Sequence, residues 1–454
     1  MKKLFGSSGI RGVVNADLTP ALISKIGLAI TSHSTSTKIL VGRDTRPSGL
    51  MLENALVSGI VAGGVNAECL GVVPTPVLAY STISRNADVG VMITASHNPP
   101  QYNGIKIFNQ EGIALSNESQ QKIEEIINQD SFKLVNWQAI GKVFYNDDCS
   151  NYVRMIQDRV MLKQKWHVLV DPGCGATFQM APVLFRRMGL DVTTINAQPD
   201  GFFPGRKPEP NIDSLKDLAE TVRRLGADVG VAYDGDGDRV AFIDEEGCFT
   251  DFDQVLAAYS EYVVKKNPGS KIITNVETSM CVEKLVEKHN GKVLRTKVGD
   301  VHIAEALRRQ NAIFGGEPCG AWIHPQYHLC PDGILSSILL LRALEEEDKK
   351  LSDFTSQVMK YPLLRENVRC SNKLKNLVIE KVRENLKTLF PSYKKMSSVD
   401  GVRLDVDEGW ILIRVSGTEP FIRITVEAES LKNAEDLMKK GKDVVETFVG
   451  RVTR

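Results

Sequence analysis

Three aspartates, Asp234, Asp236 and Asp238, alternate with two glycines in the run DGDGDR. Carboxylates this close repel one another, and a divalent cation relieves that repulsion; an all-oxygen ligand set selects a hard ion such as Mg²⁺. The glycines let the backbone fold the three acids onto one centre. A specific rival is the EF-hand loop, because Glu245 stands at the twelfth position counted from Asp234. It fails twice: Arg239 occupies the position that demands glycine, and apolar strands rather than helices flank the loop. A second chemical stretch is Thr94–Pro99, TASHNP, directly after the apolar run Val89–Ile93. Pro99 and Pro100 withhold backbone N–H groups, and Asn98 is held extended by the proline after it. The chain must turn there, and the turn holds out the Ser96 hydroxyl with His97 and Asn98 beside it. A serine that carries a phosphoryl or acyl group needs that exposure. The plain alternative is a Ser/Asn/Pro turn without chemistry.

Two further runs carry anion or hydroxyl chemistry. Arg414–Pro420 (RVSGTEP), with Arg423 beyond it, offers hydroxyls, glycine N–H groups and guanidinium forks, the donors that hold a phosphate dianion. Gly315–Gly320 sets Glu317 between glycines at a strand end, suited to accept sugar hydroxyls. The turns Gly6–Gly12 and Gly42–Arg46 carry arginines and read equally as ordinary loops. His33, His167, His289, His302, His324 and His328 show no ligand spacing and read as structural or surface residues.

The elements that position these runs repeat. Strand Lys38–Arg43, a helix from Leu50 to about Ala62 and strand Val65–Val72 form a βαβ unit, which implies parallel pairing. His167–Val170, a helix through about Met188 and Asp191–Ile195 form a second; Lys271–Asn275, a helix to about His289 and Lys292–Thr296 form a third. Each unit is followed by another apolar strand that ends in an unusual loop. The first two share a literal string, ADVGV, at Ala87–Val91 and Ala227–Val231. The first runs into TASHNP, the second into DGDGDR, and Ala312–Phe314 runs into Gly315–Gly320. Recurrence at intervals of about a hundred residues points to three related α/β domains. From about Ser397 the pattern changes to short alternating strands closed by a helix from Ser430 to about Val449. With a helical stretch near Leu374–Leu389 this makes a small α+β domain. The expected divisions are 1–150, 151–251, 252–365 and 366–454.

Length and composition set outer bounds. At 454 residues the chain exceeds a single core. Lys+Arg 56 against Asp+Glu 56 leaves no net charge, which argues against a general nucleic-acid or membrane-surface binder. MKKLF is followed by no apolar h-region and no apolar run reaches spanning length. The eight cysteines form no CxxC pair and read as reduced thiols. The expectation is a cytoplasmic protein with no nucleic-acid or membrane partner.

Taken together, the motifs resemble the α-D-phosphohexomutase superfamily along essentially the whole chain. The matches are FGSSGIRG at Phe5–Gly12, GRDTRPSG at Gly42–Gly49, TASHNP, NGIK at Asn103–Lys106, DGDGDR, GEPCG at Gly316–Gly320 and RVSGTEP. The resemblance implies three related α/β domains with mixed sheets and a TATA-binding-protein-like α+β domain around a central cleft. It implies Ser96 as a phosphoserine, one Mg²⁺ on Asp234, Asp236, Asp238 and the Ser96 phosphate, and a 1,6-bisphosphosugar as intermediate and activator. Arg11, His97, Lys106 and Arg239 match catalytic positions, with Lys106 and Arg239 offsetting charge and aiding proton transfer. Arg414, Ser416, Gly417, Thr418 and Arg423 match a single phosphate clamp that holds either end of the sugar in turn. Glu317, Cys319, Gly299 and Asp300 match the two sugar-reading loops. Cys319 stands where the superfamily usually has serine, and Ala321 where it has histidine. Asp300 replaces the histidine of many glucose and mannose mutases, and a carboxylate there pairs with an ammonium group. TKVGD and GEPCGAW resemble the archaeal-type phosphoglucosamine mutases, so the expected substrate is an amino-hexose phosphate. A glucose or mannose phosphate is the first alternative, and a silent Mg²⁺-dependent sugar-phosphate binder the remote one. The oligomer is expected to be a monomer or homodimer.

Overall fold

The computed structural model describes residues 4–6, 9–33, 35–391, 393–416 and 419–452. Four β-sheets with helices packed on them form an α/β fold through three sheets and an α+β fold in the fourth. Strand Val89–Ile93 is buried at every residue, as a strand covered on both faces must be. It runs parallel to Lys38–Arg43, which runs parallel to Asn66–Val72. After TASHNP the chain returns antiparallel as Tyr102–Asn109. Val229–Tyr233 repeats the arrangement: it is parallel to His167–Asp171, which is parallel to Asp191–Thr194, and the chain returns as Val240–Ile243 after DGDGDR. Phe314–Gly316 repeats it again, with Lys271–Asn275, Lys292–Thr296 and the return strand Trp322–Ile323. One four-strand order therefore recurs three times. Each distinctive loop sits at the C-terminal end of a parallel strand, where the sheet switches to antiparallel pairing. The first sheet is widened to seven strands by Phe5–Gly6 and Gly9–Val13 at one edge and by Val143–Tyr145 at the other.

These three sheets share one apolar core, whose buried members run from Leu40 to Tyr361. Helix Gly333–Glu347 passes through it with Ile334–Leu341 buried without a break. Its N-terminus is capped by the buried Asp332, which accepts from the Leu335 amide at 2.9 Å and from the Tyr152 hydroxyl. The fourth sheet is antiparallel and has its own core under helices Lys375–Leu389 and Leu431–Val452. Its outer strand Leu363–Arg369 pairs with Phe421–Ala428 and straddles residue 366, so the sheet gathers chain from before the alternation that starts near Ser397. The helices and strands to which the sequence reading gave bounds end within a few residues of them, as fraying ends do, whereas helices such as Pro20–His33, Phe252–Lys266 and Gly333–Glu347 were not assigned by it. Among the described residues no helix is long and apolar enough to cross a membrane, and the eight cysteines are free thiols.

Candidate active site

Ser96 has φ 52°, in the left-handed region that a residue with a side chain occupies only when its surroundings hold it there. The holding groups come from GRDTRPSG. Arg46, fully buried, donates to the carbonyls of Ser96, Asn98, Pro99 and Tyr102 at 2.6–2.9 Å. Its Nε pairs with Asp44 at 3.0 Å, and Asp44 accepts from Thr94 Oγ1, which itself accepts from the Ser96 amide at 2.8 Å. So held, the Ser96 hydroxyl donates to Asp234 Oδ2 at 2.5 Å. The hydroxyl from the first sheet and the acidic triplet from the second meet at one point.

The DGDGDR loop can come so close because Gly235 lacks a side chain: a Cβ there would lie 2.5 Å from the Ser96 carbonyl oxygen. The loop is tied to its neighbours by Thr75 N on Asp236 O at 2.8 Å and by Gly333 N on Gly237 O at 3.1 Å. Asp234 Oδ1 accepts from the Gly237 amide at 2.9 Å, and Asp236 Oδ2 from Thr75 Oγ1 at 2.5 Å. Lys106 donates to Asp236 at 2.7 Å and to Asp238. One oxygen from each aspartate lies within 4.8 Å of the others. Asp236 Oδ1 and Asp238 Oδ1 are buried and have no hydrogen-bond partner. Bare buried carboxylate oxygens are costly, and a hard cation satisfies them. The residues present therefore fit Mg²⁺.

Charge here is strongly coupled. Burial, reinforced by Asp236 and Asp238, raises the pKa of Asp234 well above the carboxylate range. Burial pushes Asp236 the same way, but the Lys106 ammonium overrides it and holds that acid low. The two acids in turn outweigh burial at Lys106 and keep it protonated. His97, whose Nδ1 is 3.3 Å from Ser96 Oγ, is pushed down to about 3 by burial and by the cations Arg239 and Arg11, so it is neutral.

A cleft of about 600 Å³ opens beside this centre and draws lining residues from all four sheets, including His97, Arg239, Glu317, Cys319 and Arg423. Arg11 Nη1 donates to Asn98 Oδ1 at 2.7 Å, which sets it against the serine loop. Arg239 Nε is 3.9 Å from Asp238. Glu317 accepts from Asn275 at 2.8 Å and from the Gly299 amide at 2.9 Å, tying the Lys297–Asp300 and Gly315–Gly320 loops together. Burial raises the pKa of Glu317 and lifts the Cys319 thiol to about 12. Asp300 opens helix Asp300–Gln310 behind Gly299; its Oδ1 is buried without a partner, in the field of Lys106, Asp238 and Arg11. In the fourth sheet Arg414 pairs with Glu277 and with Asp400 at 3.3 Å, and Arg423 with Glu419 at 3.2 Å. Ser416 Oγ accepts from the Glu419 amide at 3.2 Å. Gly417 and Thr418 lie outside the described residues.

Sequence reasoning left several cleft and support residues unmarked. Arg46 had a local signal, an arginine two residues after the aspartate that ends a strand, yet its four carbonyl partners lie about fifty residues away. Thr75, Glu209, Asn275, Glu277 and Arg365 carry no local signal; only the docking of sheets brings them in.

Comparison with known proteins agrees with this layout. The phosphoglucomutase/phosphomannomutase alpha/beta/alpha domains I, II and III match residues 2–134, 145–247 and 251–361, and that family's C-terminal domain matches residues 366–442. A probable phosphoglucosamine mutase of Methanopyrus kandleri is 44% identical over 454 residues, the full length of both chains. A phosphoglucosamine mutase of Methanocaldococcus jannaschii is 42% identical over 98% of each chain. Among solved structures, a phosphoglucomutase/phosphomannomutase family protein of Burkholderia thailandensis superposes with a TM-score of 0.89 at 26% identity, covering 98% of this chain and 97% of its own.

Proposed function

The chain belongs to the phosphoglucomutase/phosphomannomutase family, and from that premise we propose that it is a phosphoglucosamine mutase that works through a phosphoryl group carried on Ser96. It interconverts glucosamine 6-phosphate and glucosamine 1-phosphate, an isomerase reaction. The observation that carries this reading is the Ser96 hydroxyl, held 2.5 Å from Asp234 in a triplet with two bare carboxylate oxygens. The naming of the full-length relatives supports the amino sugar.

The phosphoryl group leaves Ser96 for the free hydroxyl of the bound monophosphate. The bond to Ser96 Oγ breaks as the bond to the sugar oxygen forms, the hydroxyl's proton ends on Ser96 Oγ, and a 1,6-bisphosphosugar results. The sugar turns within the cleft and its other phosphoryl group returns to Ser96. Asp234, Asp236, Asp238 and an oxygen of the Ser96 phosphate would hold Mg²⁺, which would supply charge neutralisation to the group in transfer. Lys106, kept protonated by two acids, suits charge compensation rather than proton acceptance. Arg11 and Arg239 bring further positive charge, and neutral His97 flanks the carrier oxygen. Arg414, Ser416, Gly417, Thr418 and Arg423 hold the phosphate that is not reacting. Glu317 and Cys319 face the sugar, and the Asp300 carboxylate gives the glucosamine ammonium an acidic counterpart. Free 1,6-bisphosphosugar reloads a dephosphorylated Ser96.

The test is kcat/KM for glucosamine 1-phosphate, glucose 1-phosphate and mannose 1-phosphate, with Mg²⁺ and a bisphosphate activator. The amino sugar is expected to lead, and equal or better use of glucose or mannose phosphate removes the Asp300 argument. Intact mass supplies the second arm: a gain of about 80 Da that is absent from Ser96→Ala identifies the carrier.

A further inference from the structure

Among the described residues three arginines line the cleft, and two of them are engaged. Arg239 stands between Asp238 at 3.9 Å and Glu209 at 4.0 Å, and Arg423 pairs with Glu419 at 3.2 Å. The third, Arg365, is exposed, and among the described residues no carboxylate or other acceptor meets its guanidinium. Arg365 lines the cleft and also the pocket of about 220 Å³ at the seam, as Pro318 does, which sets it beside the Gly315–Gly320 loop.

The strand register fixes which way Arg365 points. Leu363 lies opposite Glu427, Arg365 opposite Thr425 and Asn367 opposite Arg423. Across the next ladder Glu427 lies opposite Trp410, Thr425 opposite Leu412 and Arg423 opposite Arg414. Residues paired in this way share one face of a sheet. Part of that face, Trp410 and Leu412 with Leu363 beside them, docks on Val276. The rest carries Arg414, Arg423, Asn367 and Arg365, while the alternate residues Leu364 and Val368 turn into the sheet's own core. Arg365 is thus the diagonal neighbour of Arg423, with the two Cα atoms about 7–8 Å apart. Two arginine side chains span that gap, and Asn367 stands next to both.

In the mutase reading, on which this inference rests, a bisphosphosugar turns end for end without leaving. The phosphate gripped by Arg414 and Arg423 must let go before the other takes its place, and Glu277 and Glu419 then reclaim those arginines. Meanwhile the departing dianion needs a cation that no carboxylate neutralises. We propose that Arg365 is that cation: it receives the phosphate as it leaves the clamp and holds the 1,6-bisphosphosugar in the cleft while it turns. A planar guanidinium suits a phosphate in passage, because one residue offers two parallel donors. Arg365 therefore governs how often the intermediate escapes, rather than how tightly the monophosphate first binds.

The test mixes the phosphorylated full chain and Mg²⁺ with excess glucosamine 1-phosphate, glucose 1-phosphate being run in parallel, and adds no activator. Each bisphosphosugar that escapes leaves Ser96 bare. Loss of the species about 80 Da heavier in the intact mass, divided by product formed, therefore gives the escape per turnover. Arg365→Gln is expected to raise that escape by about 10-fold or more, the worth of a charge-assisted hydrogen bond. Arg365→Lys, which keeps the charge without the fork, is expected to fall between Arg365→Gln and wild type. The rate that Arg365→Gln loses is expected to return as glucose 1,6-bisphosphate is added, with KM for the monophosphate changed far less. Arg369→Gln, on the same strand and face but outside the cleft lining, is expected to match wild type. Escape from Arg365→Gln no greater than from wild type, or matched by Arg369→Gln, overturns the proposal and leaves the mutase reading standing. A wild type that carries no phosphoryl group on Ser96 overturns both.

Discussion

The junction of the first two sheets and the seam that carries the fourth are built by different means. At the first, Ser96, Asp234 and Asp236 are buried, and Arg46 reaches four carbonyls across the serine loop. One apolar core runs beneath the first three sheets. At the seam, contact rests on a small cluster of Val276, Trp410 and Leu412, with Arg403 donating to Val276 O at 2.7 Å and Glu427 accepting from Trp410 and from the Met280 amide. Arg414 and Arg423 are each occupied by carboxylates that a phosphate dianion can replace. The groups to which phosphate transfer is assigned in the proposed mechanism are thus already fixed in this structure. The arginines proposed to grip its far end are held in ion pairs on a lobe attached through a small contact.

Arg46→Met is the change expected to damage the rigid junction most. It strands the buried Asp44 and frees four carbonyls, so a loss of about 3–5 kcal/mol is expected in urea unfolding. Turnover falls by about 10²-fold or more in the protein that remains folded, because Ser96 is no longer held on Asp234. Unchanged turnover means that Arg46 does not organise the serine loop.

The two regions also differ in how far the sequence disclosed them. The three strand–loop units were legible because each loop follows a continuous apolar strand, and ADVGV marks two of them directly. The Asp triplet was legible because its three acids alternate within five residues. Arg46 was not, because its partners are distant in sequence and a lone arginine in a polar turn looks like any other. Glu277 and Asp400, which hold Arg414, stand on different sheets, and nothing local tells such acids from solvated ones. Strand Leu363–Arg369 was missed because only Val368 among its residues is buried, so it shows no apolar alternation.

A smaller effect separates grip from chemistry at the seam. Arg414→Ala is expected to raise KM by about 10–100-fold with kcat changed far less, since it removes charge-assisted bonds made to bound substrate throughout the reaction. Arg423→Ala, the more exposed of the two, is expected to raise it by about 10-fold. Glu277→Gln, which releases Arg414 from a competitor, is expected to lower KM. If Arg414→Ala instead lowers kcat at constant KM, the arginine acts on the reacting group and the division between the two regions fails.

The smallest effect reads the seam through stability. Asp253, in the first turn of helix Phe252–Lys266, accepts from the Ser279 amide at 2.8 Å. Burial lifts its pKa to about 7; the Ser279 amide opposes that rise, while Asp251 and Glu427 add to it. An unfolded aspartate titrates near about 3.9, so between about pH 4 and pH 7 unfolding releases a proton that the folded chain retains. Stability therefore falls as pH rises through that window and levels off above it. Asp253→Asn keeps a neutral acceptor for Ser279 and escapes this loss. Its melting temperature is expected to match wild type at pH 4 and to exceed it by a few degrees at pH 8, with turnover unchanged because Asp253 lies outside the cleft. Part of the side chain borders a pocket of about 220 Å³, which keeps the difference below that of full burial. The difference exists only while the seam stays closed, because hydration returns Asp253 to its ordinary pKa. A gap between variant and wild type that does not change with pH means that the fourth lobe is already open at rest.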